Sequence, residues 1–355
     1  GATLKLEPGV VLRFTEGNGM VVKGSLQVAG STQSPVVFTS WRDPEYSDEG
    51  GVQAGDWTSL RLDNPQGQVT LDGIEIRYGG RGEGAVERIN AAPALQQVLI
   101  RDSNSYPISY ELQSNPQWGA ITLTNNYPAD AIEVRSSHLE RAGELVWSPL
   151  KLADGSEVVR LVTGMLYIDE NALLRVDPQS VVKFTQEGGI EVRGGITTNQ
   201  AVLTSIQDDE YGGQTNGGVS GDPVWQGIRL FTQRPVMFQN TTIRYASTGV
   251  WMENSAPVFS KVFIEDCAET ALSADIASSP RFDEISLEGS PINGMVMRIT
   301  TLTDGETRWE KLGNGEQVVR VFLETLTIGP ASQLLILDGV VLKFSAQVSL
   351  IVEGQ

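Results

Sequence analysis

APALQQVLI (residues 92–100) and NPQWGAITL (115–123) are the two stretches on which the reading of this chain turns. Pro93 and Pro116, Leu95 and Trp118, and Ile100 and Leu123 each stand 23 residues apart. APVFSKVFI (256–264) and SPRFDEISL (279–287) repeat the interval, with Pro257 and Pro280, Phe259 and Phe282, and Ile264 and Leu287 again 23 apart. The preceding intervals are 24 residues (Ile76 to Ile100) and 21 (Ile243 to Ile264). Inside each interval apolar residues alternate, as in VTLDGIEI (69–76) and AITLTN (120–125). Alternation turns one side of a strand toward a core. A leucine-rich repeat would need a recurring L-x-x-L-x-L-x-x-N/C string, and none recurs. The spacing instead predicts an all-β parallel β-helix of 21–24 residues per coil, whose stacked laps bury a continuous apolar column. With a coil spacing of about 4.8 Å, some fifteen coils would make a rod on the order of 70 Å long.

A longer period encloses the short one. VVLRF, VVKF and VVLKF end at Phe14, Phe184 and Phe344, offsets of 170 and 160. IRY recurs at 76–78 and 243–245, and EVVRLVTGMLYI (157–168) matches QVVRVFLETLTI (317–328). Residues 1–355 therefore read as one continuous solenoid of tandem units at about 1–144 and 145–306, with a third begun at 307–355. GATLKLEPGVVLRF opens and VSLIVEGQ closes in mid-pattern, so the stretch reads as part of something longer. Pro93, Pro116, Pro257 and Pro280 each precede an alternation and are expected to open strands, where no interior ladder donor is lost. Gly pairs at 79–80, 188–189 and 194–195 are expected to supply positive φ at corners.

Composition narrows the partners. The chain has 355 residues, 40 % hydrophobic, with a formal charge of −18 from 44 acids and 26 bases. Nucleic acid and anionic membrane surfaces call for a basic footprint, which argues against both. No run of about 18 apolar residues suggests membrane insertion. Cys267 is the one cysteine, so an internal disulfide is excluded.

GATLKLEPGVVLRF (1–14), NALLRVDPQSVVKF (171–184) and ASQLLILDGVVLKF (331–344) resemble the lead motif, GatLtIePGvvvkF, of right-handed parallel β-helix repeat proteins of bacterial secreted and cell-surface type, in the pectate-lyase-like superfamily. GSLQVAGSTQSPVVFTSWRDPEYSDEGGVQAGDWTSLRL (24–62) and its counterpart at 189–230 are similar to the segment that follows in that family. The resemblance implies a right-handed coil and an extracellular or cell-surface location. The repeated unit of 160–170 residues, which lengthens a rod by duplication, points to a structural or adhesive stalk or spacer role within a larger protein. Because pectin lyases and polygalacturonases share the fold, the alternative is a module that binds or cleaves polysaccharide.

The two long loops are the candidate sites. Loop one (41–56) carries Asp43, Glu45, Asp48, Glu49 and Asp56; loop two (206–224) carries Asp208, Asp209, Glu210, Asn216 and Asp222. Clustered carboxylates on a loop that can wrap are what Ca2+ requires. In relatives the loop resembles D-x-N-x-D-G, whereas residues 214–218 here read Gln-Thr-Asn-Gly-Gly. No cofactor is required by any motif, and Ca2+ is the one these loops would take. Lyase-type chemistry would need an Arg or Lys base, for which Arg77, Arg101, Arg244 and Lys261 are available. Arg77 and Arg244 are equivalent in the two units, which points to a structural repeat. The single histidine, His138, lies in SSHLER and not in the G-H-G of polygalacturonases, so no catalytic residue is expected. Trp147 and Trp309 precede the unit junctions and are expected to pack, as is Trp118. Asn240 begins a glycosylation sequon and is expected in a coil turn. β-Helices cover their open strand edges, so the expected partners are neighbouring domains of the same polypeptide or copies stacked end to end, with carbohydrate a further candidate.

Overall fold

A computed structural model of the chain shows a parallel β-solenoid of about 14 turns, about 51 % strand and, among the described residues, without helix. The structure describes residues 1–64, 67–82, 84–89, 92–221, 223–298, 300–313 and 318–353. Each lap lays down three short strands, one per face, and each strand pairs in parallel with its counterparts in adjacent laps. In the first lap these are Thr3–Leu6, Val11–Phe14 and Met20–Val22. No helix among the described residues is long and apolar enough to cross a membrane.

The short period is the lap. Leu95 pairs with Trp118, and Phe259 with Phe282, in adjacent layers. Strands open at Ala94, Gln117, Val258 and Arg281, directly after the four prolines. Inward side chains form unbroken columns: the rings of Phe238, Phe259 and Phe282 stack at 5.2 and 5.1 Å. One hydrophobic cluster runs from Leu6 to Leu326.

The long period is not a whole number of laps. Val11–Phe14 belongs to the second face, paired with Val36–Ser40. Its counterpart Val181–Phe184 joins the third face, a ladder that starts at Met20–Val22 and passes through Leu60–Leu62, Val86–Ile89, Ile108–Tyr110, Ile132–Val134 and Arg160–Val162. The next counterpart, Leu342–Phe344, lies on the first face, in the ladder that begins at Ser137–Leu139. Each unit thus advances six laps and one face, and equivalent strands rotate around the axis from unit to unit. The sequence tolerates this because all three faces impose the same alternation on a strand.

The glycine pairs need correction. Of the six residues only Gly80 has positive φ, at 86°. Gly194 is required by close approach instead: a Cβ there would lie 2.2 Å from the carbonyl oxygen of Ala172 in the lap below. Polar residues also take positive φ, among them Gln179, Gln200, Asn240, Lys261 and Glu284 at one corner of successive laps. Asn240 sits in a coil turn as expected, and its left-handed backbone suits an Asn.

Phe259→Ala should lower unfolding stability by about 3–5 kcal/mol, since it cuts a stacked column in the core. Phe263→Ala, at an outward position 47 % exposed, should change it by no more than about 0.5 kcal/mol. Denaturant midpoints of the two variants check the assignment of inward and outward positions.

Candidate functional site

Both long loops are tied to the solenoid by the same device. Trp57 and Trp225 are fully buried, stacked on Phe14 at 4.7 Å and on Phe184 at 4.1 Å. Their indole Nε1 groups donate to the carbonyl oxygens of Arg77 (2.7 Å) and Arg244 (2.6 Å). This fixes the backbone of each arginine while its side chain reaches out to the loop. Nη1 of Arg77 donates to Asp43 Oδ2 at 3.1 Å and to Glu45. Nη1 of Arg244 donates to Asp208 Oδ2 at 3.3 Å and to Glu210 Oε2 at 2.6 Å. Tyr46 and Tyr211 each lay a ring 5.4 Å from the guanidinium. Thr39 and Thr204 donate to the same aspartates at 2.6 Å.

A third carboxylate completes each clamp, from a different place in the two units. In unit one it is Glu75, on the same strand, with Oε1 2.8 Å from Nε of Arg77. In unit two it is Glu265, one lap on, 3.3 Å from Nε of Arg244. The position paired with Arg77 in the next lap is Arg101, and the position paired with Arg244 is Glu265. Glu75 therefore serves two arginines, also accepting from Nε of Arg101 at 2.7 Å. Burial works against the charge on Arg77, but the bond to Glu45 and the charges of Glu75 and Asp43 outweigh it and hold its pKa above the ordinary value. Arg244 is raised in the same way, against burial, by Glu210 and Asp208. The bond from Arg77 lowers the pKa of Glu45, whereas desolvation raises that of Glu265.

The remaining loop residues divide by role. Asp43 and Asp208 also accept from the backbone N–H groups of Glu45 (3.0 Å) and Glu210 (3.1 Å). Asp56 accepts from the Ser40 hydroxyl at 2.7 Å and lies 3.7 Å from Arg42. Asp48, Glu49 and Asp209 are exposed. Asn216 bridges the loop to Gln207 at 2.6 Å and accepts from the N–H of Gly218. Asp222 lies outside the described residues. Among the described residues no group of three or more His, Cys, Asp or Glu side chains is placed to hold a metal. The carboxylates with the best geometry face arginine.

Because the units are rotated by one face, loop one bridges the second and third faces and loop two leaves the third for the first. Loop two also folds back over unit one. Thr215 accepts from the Tyr106 hydroxyl at 3.3 Å, and Lys183, fully buried, donates to the carbonyl of Gly213. Beneath it a small second core forms outside the coil, from Ala131, Val159 and Leu161 with Tyr106, Val181 and Ile206.

The other candidates are surface or packing residues. Arg101 pairs with Glu75 and Asp102, and Lys261 lies 3.9 Å from Glu284. His138 is about half-exposed, stacked on Tyr167 at 4.4 Å and 3.1 Å from Asp169. Trp147 and Trp309 are buried and Trp118 half-buried. Sequence reasoning missed Glu75, Glu265, Tyr46 and Tyr211. It also missed two inward arginines, Arg160 and Arg320, although both stand in the repeated string VVR at 158–160 and 318–320.

Arg77→Met should destabilise the protein by about 3–5 kcal/mol, because it strands buried Asp43 without a counter-charge. Chemical denaturation of this variant beside Arg77→Lys checks it, with the lysine expected to lose less. Glu45 has a folded pKa below its unfolded value of 4.5, so its contribution is full above that value and fades as pH falls through the folded pKa. Glu45→Gln should therefore melt below the parent at about pH 7 and converge with it as pH falls through the folded pKa of Glu45.

Comparison with protein-family models, with curated proteins and with solved structures returns no match, and the functional reading rests on the geometry.

Proposed function

We propose that the chain is a structural or adhesive spacer segment of a large bacterial extracellular or cell-surface protein, with no catalysis of its own. The observation that carries this reading is the duplication of the arginine clamp. An active site is one constellation at one place; here the same Asp, Glu, Tyr, Thr, Trp and Arg recur around Arg77 and Arg244. Their shared task is to staple a long loop to a rod. The rod is lengthened by unit duplication, and its backbone ladder is satisfied by neighbouring laps. The net charge of −18 favours solubility over binding to nucleic acid or anionic lipid. Its partners in this reading are neighbouring domains of the same polypeptide or other copies stacked end to end.

One observation favours the alternative, a polysaccharide-binding module. Unit two carries an outward aromatic pair, Phe231 and Trp251, with ring centroids 4.9 Å apart. The counterpart of Trp251 in unit one is Glu87, paired with Arg61 where Trp251 pairs with Arg229. Yet Arg298 lies 3.6 Å over the Trp251 ring and Arg193 5.3 Å from that of Phe231. A sugar would have to displace cations already stacked there, so the spacer reading is preferred.

Small-angle scattering should give a rod of constant cross-section, on the order of 65 Å long for coils about 4.8 Å apart. Glycan arrays and polysaccharide depolymerisation assays should be blank; a saturable glycan signal lost in Trp251→Ala would replace the spacer reading with the alternative. Ca2+ and chelator should leave the melting midpoint unchanged, since a native-state ion would raise it.

A further inference from the structure

The unit junctions carry a second repeated feature that a spacer does not need. Arg160 and Arg320 stand at inward positions of the coil, Arg160 between Ile132 and Val182, Arg320 between Met295 and Leu342. Each guanidinium lies over an indole, 5.4 Å from Trp147 and 5.2 Å from Trp309. A cavity opens beside each pair, about 270 Å³ at Arg160 and about 400 Å³ at Arg320.

The two cavities differ in their linings and in how the arginine is satisfied. At the first junction, Nε of Arg160 donates to the Tyr110 hydroxyl at 3.3 Å and Nη1 to the carbonyl of Ser148 at 2.8 Å. Tyr110 stands two laps below, in the column Tyr110–Val134–Val162. The same column at the second junction reads Ala274–Met297–Phe322. A methyl group replaces the phenol there, the cavity is larger, and Nε of Arg320 has no hydrogen-bond partner among the described residues, although Arg320 is only 7 % exposed. Nη1 donates to the carbonyl of Glu310 at 3.0 Å. Desolvation pushes the pKa of Arg320 down to about 10, so it stays cationic at neutral pH.

The surroundings select the ligand. In a chain of net charge −18, this cavity is lined by Arg281, Arg308, Lys311 and Arg320. Among the described lining residues the one carboxylate, Glu310, is 3.1 Å from Arg308. Phe282, Met295 and Met297 form an apolar wall. A buried guanidinium with a free donor is costly to leave unpaired. Its planar fork matches a carboxylate, and an apolar wall beside such a donor suits a small organic body.

We propose that the Arg320 cavity binds a small organic carboxylate, whose oxygens accept from Arg320 while its body packs on Phe282, Met295 and Met297. At the Arg160 cavity a tyrosine hydroxyl already accepts from the guanidinium, and Arg160 is the only cation among the described lining residues.

Calorimetric titration of the whole chain with benzoate, and with the neutral benzamide and inorganic sulfate, tests this. Benzoate should bind at one site per chain, at least about tenfold more tightly than either of the others. Arg320→Met should abolish binding; an apolar replacement of a buried charge is often neutral for stability, and its melting midpoint reports whether it has folded. Ala274→Tyr should weaken binding by a similar factor through the restored hydroxyl, and Arg160→Met should leave it unchanged. No benzoate binding by the parent, equal binding by a folded Arg320→Met, or equal affinity for sulfate would each overturn the proposal.

Discussion

Lap-over-lap register is the constraint on which everything else in this molecule depends. A parallel ladder pairs each strand with its copies above and below, so an inward side chain meets the inward side chain of the next lap. Like must therefore sit on like in size and polarity, as Phe238, Phe259 and Phe282 do. Corners obey the same rule in backbone terms. A turn taken at one place must be taken there in the next lap, which is why left-handed residues recur at one corner from Gln179 to Glu284. A single residue out of register would displace every inward side chain that follows it on its strand.

Charge inside such a column must be answered locally, and the two units answer it differently. Unit one places arginine over arginine, Arg77 and Arg101, and puts Glu75 between them. Unit two places Glu265 over Arg244 and has no need of the extra acid. The outcome is the same clamp reached through different residues, with the loop carboxylates of Asp43, Glu45, Asp208 and Glu210 closing it from outside. Of these, the bonds to buried Asp43 and Asp208 are desolvated and charge-assisted, and resist salt better than surface pairs do.

Rotation by one face per unit gives the array a property that neither unit has alone. Equivalent loops leave the rod at different corners, so loop two is free to fold along unit one and cover Ala131, Val159 and Leu161 without meeting loop one. The unit junctions also hold the exceptions to an apolar interior, Arg160 and Arg320 over their tryptophans.

The sequence by itself determined the lap, the unit and the strand-opening prolines, because each is a periodicity and a periodicity is visible along one dimension. It also marked Arg77 and Arg244 as a repeated, structural pair. Which carboxylate meets which arginine was decided only in three dimensions: Glu75 acts from the same strand and Glu265 from the next lap, and residue spacing alone does not distinguish them. Gly194 could likewise be read as a corner residue until the carbonyl of Ala172 was seen against it. The one-face rotation and the Tyr110-for-Ala274 exchange became visible only when equivalent residues were placed on the same coil, because register is a relation between laps and not between neighbours in the chain.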